Sequence, residues 1–283
     1  MPALAVVYAR PASERLEELA ERFASYQHTY EATQDGRAVC AFAFQVFYQH
    51  LASGFRNNTF GLEDLTWTAQ LSEVMAGLFF EAMNSLDAAL AASPESPVFD
   101  KVPKPWVDAY TIMQNGGTCV LEDLVFGLVA HISYDLPHAL AQVGLASNGR
   151  SHLHDFHHIN GILADSIRTV QQALAERYCP YLSLLFRLTA PFDKLFTAQG
   201  FLTARAIAWY NATRLLDPAS TIETQQTLEQ LAARCIATMR HPRPWYLRLA
   251  SRGVRLLITG PRRWPTPGNE WLVGNRTRSL SPA

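Results

Sequence analysis

The feature that most restricts the fold is an apolar pattern with helical spacing that continues through most of the chain. From Ser151 to Arg177, for example, apolar side chains recur every three or four residues, which places them on one face of an α-helix. The alternation of apolar and polar residues that is typical of strands is nearly absent, apart from a short β-favouring cluster at residues 6–8. The sequence therefore predicts an all-α fold, a single bundle of roughly eight helices around one core.

Turn residues and prolines divide this pattern into segments. The predicted helices cover residues 13–30, 38–53, 64–91, 106–113, 121–134, 138–145, 151–177, 182–187, 196–216 and 221–239. Because Pro137 lacks an N–H, we expect the helix before it either to bend there or to start again with Asp135 as its N-cap. Hydrophobic residues make up 48% of the chain, which is enough for a sizeable core and excludes a mostly disordered chain.

Charge divides the chain into two predicted parts. Residues 240–283 carry nine arginines against one acidic residue, Glu270, whereas residues 1–239 are acidic overall. We predict a helical bundle domain over residues 1–239 and an irregular, basic, proline-containing extension over residues 240–283. This extension either makes a weak contact with an anionic surface such as a membrane or lies across the acidic bundle. The net charge of −1 gives no basic field, so we predict no nucleic-acid partner.

The cysteines and the first residues bear on the cellular compartment. The four cysteines are widely spaced and form no CxxC pair, which favours buried free thiols over a zinc knuckle or a redox pair. Residues 1–10 have no positive region before their apolar run, and Pro11 ends that run too early for a signal peptide. No uninterrupted apolar stretch approaches eighteen residues, the length expected of a membrane-spanning helix. We therefore expect a cytoplasmic protein and leave its oligomeric state open.

The density of histidine marks a candidate site. Six of the nine histidines fall between His131 and His158, together with Asp135 and Asp155. His131 and Asp135 are four residues apart on one predicted helix and so share a face, where an imidazole and a carboxylate can hold one metal ion between them. The next helix follows after a short turn and would lie antiparallel to the first, which could bring Asp155 to the same point.

This pattern predicts a site for a divalent metal, either zinc, iron or manganese, that would activate a water molecule. The predicted metal ligands are His131, Asp135, Asp155 and His154. The predicted catalytic residues are His131, Asp135, Asp155 and His158. Tyr134, His138 and Asn160 would contact the substrate or orient the ligands. A structural role stays open as well, with the two aspartates as helix caps and His131 as a core histidine bonded to a carboxylate.

Three functions fit this sequence, each with a small molecule as the partner. The first is a metal-dependent enzyme acting on a small organic molecule, most simply a hydrolase that uses metal-bound water. The second is a metal-independent cyclase or isomerase of specialised metabolism, in which a His/Asp pair moves protons in an apolar pocket. That pocket would be lined by Phe44, Phe47, Phe79 and Trp106. The third is a non-catalytic binding protein whose His/Asp cluster ties helices together.

The segment Ala130–Leu136, with the sequence AHISYDL, resembles the N-A-H-I-x-x-D-L signature of an all-helical bacterial family of unknown function. Asp155–Phe156 followed by Ile159–Asn160 is similar to a second block of that family, and the resemblance extends over about residues 35–216. Val129 stands where the signature has Asn, so a polar neighbour of the histidine is missing here. The resemblance carries no activity but implies that four polar residues lie together. These are His131, Asp135, Asp155 and Asn160.

Overall fold

The computed structural model describes residues 10–57, 59–114 and 118–241, and isolated positions at 248, 253, 264 and 265; the side chains of residues 57 and 188–199 are not described. The helices are α1 (Ala12–Ala32), α2 (Arg37–Asn57), α3 (Leu65–Ala92), α4 (Lys104–Gln114), α5 (Val120–Ala130), α6 (Leu136–Val143), α7 (Leu153–Arg177), α8 (Tyr181–Leu215) and α9 (Thr221–Arg240). A two-residue antiparallel pair, β1 (Ala146–Ser147) and β2 (Arg150–Ser151), joins α6 to α7. The predicted all-α bundle is confirmed, whereas most of the predicted basic extension lies outside the described residues.

Helix boundaries follow local chemistry where a side chain is placed to satisfy free backbone groups. Asp64 precedes α3, and its carboxylate accepts the N–H of Trp67 at 2.9 Å, which caps the helix. The segments predicted separately at residues 182–187 and 196–216 form one helix, α8. The helical backbone therefore continues through Pro191, although a proline inside a helix removes one hydrogen bond.

An aromatic cluster from α1, α2 and α3 forms the centre of the core. The ring centroid of Phe23 lies 4.6 Å from that of Phe80, 5.0 Å from that of Tyr48, 5.2 Å from that of Phe79 and 5.4 Å from that of Phe44. All five residues are buried. Tilted aromatic pairs at these distances stabilise the fold beyond the free energy of apolar burial alone. Later helices of the bundle pack against this aromatic cluster.

Helix α5 packs next to this aromatic cluster through a close contact with α2. A Cβ atom built on Gly127 would lie 2.4 Å from the Sγ atom of Cys40, so a side chain at this position would collide with α2. The missing side chain lets the two backbones approach each other. This contact places the residues that follow α5, beginning with His131, against the ring of Phe44.

Two helical stretches, Leu65–Ala92 and Val120–Val143, are long and apolar enough to cross a membrane by length and composition alone. Both contribute buried residues to the bundle, including Phe79 and Phe80 from the first and Phe126 and Leu136 from the second. Burial in a protein core is an ordinary reason for such a composition. The cytoplasmic location stays an expectation from the sequence.

Candidate functional site

The chain between α5 and α6 is a π-helical turn, His131–Asp135. Its defining hydrogen bond runs from the N–H of Leu136 to the carbonyl oxygen of His131, five residues back instead of four. Pro137 accounts for this turn, because it has no N–H to donate to Ser133 and its ring would clash with that carbonyl in a regular α-helix. The helix therefore widens where the sequence predicts a bend or a restart, and Asp135 makes no capping hydrogen bond.

The π-turn holds a buried His–Asp pair. The Nδ1 atom of His131 lies 2.9 Å from Oδ2 of Asp135. The indole Nε1 of Trp106, on α4, donates to the same carboxylate at 3.1 Å to Oδ2 and 3.3 Å to Oδ1. His131 is 5% exposed and Asp135 is 2% exposed. Because an ionised Asp135 can only accept hydrogen bonds, the contact assigns the imidazole proton to Nδ1 and leaves Nε2 as the basic nitrogen.

Aromatic side chains surround the imidazole of His131. Its ring centroid lies 4.6 Å from that of Phe44, 6.3 Å from that of Trp106 and 6.4 Å from that of Phe79. Of the four residues predicted to line an apolar pocket, these three contact the imidazole, whereas Phe47 packs against Tyr48. The His–Asp pair therefore lies in an apolar environment with little exposure to solvent, where hydrogen bonds to a carboxylate are strong.

A small cavity adjoins this environment. Its empty space of about 250 Å³ is partly open to solvent, and Phe79 and Trp106 belong both to its lining and to the shell around His131. Arg37, Cys40 and Tyr110 line it as well. The two aromatic rings thus form the shared wall between the His–Asp pair and the cavity.

Two residues that line the cavity, Cys40 and Arg37, offer neither a reactive nucleophile nor an unpaired charge. Burial raises the pKa of the Cys40 thiol, and the nearby charges of Asp123 and Asp135 raise it further, so the thiol stays protonated and is a poor nucleophile. Arg37 donates from Nε and Nη2 to Asp35 at 2.9 and 2.7 Å and from Nη1 to Asp87 at 2.7 Å. Its charge is therefore balanced by two carboxylates.

Asp155 does not join the His–Asp pair. Its carboxylate accepts the backbone N–H groups of Glu63 and Asp64, both at 2.8 Å, at the start of α3. Phe79, which contacts His131, lies fifteen residues further along α3, or roughly 22 Å at 1.5 Å per residue. The prediction that Asp155 shares one site with His131 and Asp135 is therefore wrong. Its carboxylate instead accepts hydrogen bonds from the residues just before α3, whose first residue lies 90 positions earlier in the chain. These bonds link the start of α7 to the start of α3.

His154 and His158 lie on the surface near Asp155. The two rings are 4.2 Å apart, and the Nδ1 atom of His154 is 3.7 Å from carboxylate oxygens of both Glu63 and Asp155. Both histidines are exposed. They are therefore solvated side chains at the start of α7, away from the buried pair.

The three residues predicted to orient substrate or ligands have separate roles. Tyr134 and His138 contact each other, with ring centroids 4.5 Å apart and the Nδ1 atom of His138 2.7 Å from the carbonyl oxygen of Tyr134. Asn160 accepts a hydrogen bond from Arg205 of α8 at 2.5 Å. The four residues that the resemblance groups together are therefore divided among the His–Asp pair, the start of α3 and the contact between α7 and α8.

Within the part of the chain that the structure describes, no group of three or more His, Cys, Asp or Glu side chains is placed to hold a metal ion. The predicted ligand set is not assembled, because Asp155 and His154 belong to the start of α7 and α3. A bound zinc, iron or manganese ion stays a prediction that these contacts do not test.

Sequence reasoning misses two polar contacts of buried side chains. Trp106 is expected to line an apolar pocket, and its role as a hydrogen-bond donor to Asp135 does not follow from the sequence, because the contact joins residues 29 apart. Arg205 shares a predicted helix face with Trp209, but it stacks over Phe156, with the guanidinium carbon 4.0 Å from the ring centroid. For Arg205, the available signal is a charged side chain in an otherwise apolar stretch.

A comparison with protein families identifies the family of this chain. Residues 15–242 match the model of a family of unknown function, DUF5995. This match covers most of the chain, so the protein belongs to that family, and the predicted membership in an uncharacterised family is confirmed. No curated protein and no solved structure matches the chain.

Proposed function

We propose that the protein is an enzyme that transfers a proton on a small, largely apolar molecule, as in an isomerisation or a cyclisation. The observation that carries this proposal is the buried hydrogen bond between His131 and Asp135, with Trp106 donating to the same carboxylate. His131 would act as the general acid and base, and Asp135 would orient it. The reaction needs no cofactor, and a small-molecule substrate is the implied partner.

The pair has the features that proton transfer by histidine requires. Asp135 fixes the tautomer and the ring orientation, and it stabilises the imidazolium that forms when Nε2 takes a proton. Trp106 holds the carboxylate in place from a second helix. A positioned general acid or base accelerates a reaction by on the order of 10²–10⁴-fold.

The surroundings favour a small substrate with little charge. The neighbouring cavity is small and partly open, and it is lined mainly by apolar side chains such as Met83 and Leu86. Its shared wall with His131 consists of two aromatic rings, Phe79 and Trp106. A molecule with few heavy atoms and an apolar body fits this description better than a sugar, a nucleotide or a peptide.

Two alternative functions are less well supported. The metal-dependent hydrolase predicted from the sequence requires Asp155 beside His131 and Asp135, and Asp155 is bonded elsewhere. A purely structural pair is supported by the burial of both residues, and it is the outcome that the experiment must separate from catalysis.

Isotope labelling in a metabolite mixture tests the proposal even though the substrate is unidentified. The purified chain is incubated with a bacterial small-molecule extract in D₂O and, in parallel, in H₂¹⁸O, and all masses are followed. Proton transfer adds deuterium to a product and leaves its oxygen count unchanged, whereas hydrolysis adds ¹⁸O. We expect deuterium incorporation that falls by at least about 10²-fold in His131→Gln and in Asp135→Asn.

A matched control is available in the same fold. His152 is also buried, stacks on Trp67 with centroids 4.6 Å apart, and has its Nδ1 atom 3.8 Å from Asp64. His152→Gln is expected to keep the labelling activity. A wild-type chain that labels nothing, or a folded His131→Gln variant that labels as well as wild type, would show that the pair is structural.

A further inference from the structure

Arg205 lies between α7 and α8 and is almost completely buried, with 6% of its surface exposed. Its Nε atom donates to Oδ1 of Asn160 at 2.5 Å, and Nη2 donates to the carbonyl oxygen of Phe156 at 2.9 Å. The guanidinium also lies over the ring of Phe156. All these partners are neutral, so within the described residues no carboxylate balances this charge.

Two other arginines of the bundle, Arg177 and Arg37, are paired differently. Arg177 donates from Nε and Nη2 to the two carboxylate oxygens of Glu31 at 2.6 and 2.7 Å, and Arg37 is held by two aspartates. Burial without such a partner is costly for a cation, and it lowers the pKa of Arg205 to about 9. The contrast indicates that the charge of Arg205 is kept for something other than an internal ion pair.

Few acidic residues could form an ion pair with Arg205 outside the side chains that the structure describes. Of the 25 acidic residues, those without a described side chain are Asp193 and Glu270. Asp193 precedes Arg205 by twelve residues on α8, a distance of roughly 18 Å along the helix axis. Glu270 belongs to the basic extension, outside the described residues.

Arg205 has donors left for a ligand. A guanidinium carries five N–H bonds, and the two contacts above use one on Nε and one on Nη2. Nη1 has no hydrogen-bond partner within the described residues, and 6% of the Arg205 surface is exposed. The Nη1–Nη2 edge can therefore make two parallel hydrogen bonds, which is the geometry that a carboxylate prefers.

We propose that Arg205 anchors a binding site for the carboxylate group of a small organic molecule. One buried positive charge is neutralised by one carboxylate, whereas a phosphate dianion would leave a buried negative charge uncompensated. Trp209 lies 5.0 Å from Phe156, centroid to centroid, so an apolar body attached to the carboxylate would meet aromatic surfaces. The site is separate from the His–Asp pair and requires no catalysis by His131.

Thermal unfolding of the full chain with sodium benzoate tests this site. The controls are benzamide, the neutral analogue, and sodium chloride at equal ionic strength. At about ten times its Kd, benzoate is expected to raise the Tm of the wild-type chain by about 3–5 °C, because it binds the folded state alone. Benzamide and sodium chloride are expected to leave the Tm unchanged.

Two arginine variants on the same helix localise the effect. Arg205→Met removes the charge and is expected to abolish the benzoate shift. Arg214→Met is the matched control, because Arg214 already pairs with Glu223 at 2.9 Å, and it is expected to keep the full shift. If Arg205→Met does not fold, Arg205→Lys keeps the positive charge but lacks the planar N–H edge, and it is expected to reduce the benzoate shift severalfold.

The proposal is overturned by a benzoate shift that benzamide reproduces, that survives in Arg205→Met, or that is absent from the wild-type chain. A larger shift with inorganic phosphate than with benzoate would overturn the carboxylate class. None of these results depends on whether the labelling experiment with His131→Gln succeeds.

Discussion

Two hydrogen-bond donors meet at one oxygen atom, Oδ2 of Asp135. His131 comes from the same helical turn and Trp106 from α4, so the carboxylate links the π-turn to a neighbouring helix. A buried carboxylate that loses a donor keeps its desolvation penalty without the compensating bond. The contribution of Trp106 to stability should therefore exceed that of an indole bonded to a neutral group.

We expect Trp106→Phe to lower the free energy of unfolding by about 1.5–3 kcal/mol, as for hydrogen bonds to charged groups. Trp67→Phe is the matched control, because its indole donates to the neutral carbonyl of Gly144 at 2.8 Å. That variant should lose about 1 kcal/mol. Urea unfolding followed by circular dichroism measures both, and equal losses would contradict a charged Asp135.

The sequence could predict the His131–Asp135 pair because both residues belong to one helical segment with a spacing of four. It could not predict the partner of Asp155, since the accepting carboxylate and the donating N–H groups are 91 and 92 residues apart. A buried aspartate near a helix start fits a cap, a metal ligand or a catalytic acid equally well in sequence. The choice among these roles is made by the contact between the start of α7 and the two residues that precede α3.

At the scale of helices, the contact between Gly127 of α5 and Cys40 of α2 determines how closely these helices approach. The helical periodicity correctly predicts that both segments are buried helices. It carries no information on which residues face each other, because the distance between two helix axes depends on the pair of side chains at the crossing. The π-turn escapes prediction for a related reason, since Pro137 is compatible with a bend, a restart or a widened turn.

Gly127→Ala should destabilise the protein despite the better helix propensity of alanine. The new Cβ atom would lie 2.4 Å from Sγ of Cys40, and overpacking of this kind costs about 1–3 kcal/mol. Gly77→Ala on α3 is the control, because no atom lies within 4 Å of its new Cβ, and it should gain about 0.5–1 kcal/mol. Adding Cys40→Ala to Gly127→Ala should recover part of the loss; strictly additive effects in thermal unfolding would argue against the collision.

At the scale of the whole molecule, the turn between α1 and α2 collects ion pairs from distant helices. Glu31 accepts hydrogen bonds from Arg177 and from Tyr178 at the end of α7. Arg37, on the other side of the turn, reaches Asp87 of α3. Three separate parts of the bundle are therefore joined at one polar junction beneath the aromatic core.

Glu31→Gln should weaken the bundle in a pH-dependent way. Burial alone would raise the pKa of Glu31, but hydrogen bonds from Arg177 and Tyr178 outweigh it and hold the pKa below its ordinary value. A lowered pKa in the folded state stabilises the protein above the pKa of the unfolded state, and this stabilisation is lost as the pH falls through the folded value. We expect a loss of about 3 kcal/mol at pH 7 that shrinks below about pH 4.

The control for this variant is Glu223→Gln, since Glu223 forms an exposed pair with Arg214 and should change stability little at any pH. Urea midpoints measured from pH 3 to 8 test the prediction. A Glu31→Gln deficit that stays constant across this range would show that lost packing, not the charge of Glu31, explains it.

The extra residue in the π-turn changes the angular phase of the chain. A residue added to a helical turn rotates everything after it by about 100° relative to everything before it. The extra residue lies between the buried positions 120, 123, 124, 126, 127 and 130 before the turn and the buried positions 136, 137, 139 and 140 after it. A relative that lacks one residue in this stretch could direct its imidazole inward or bury the two leucines of the following helix, but it could not do both.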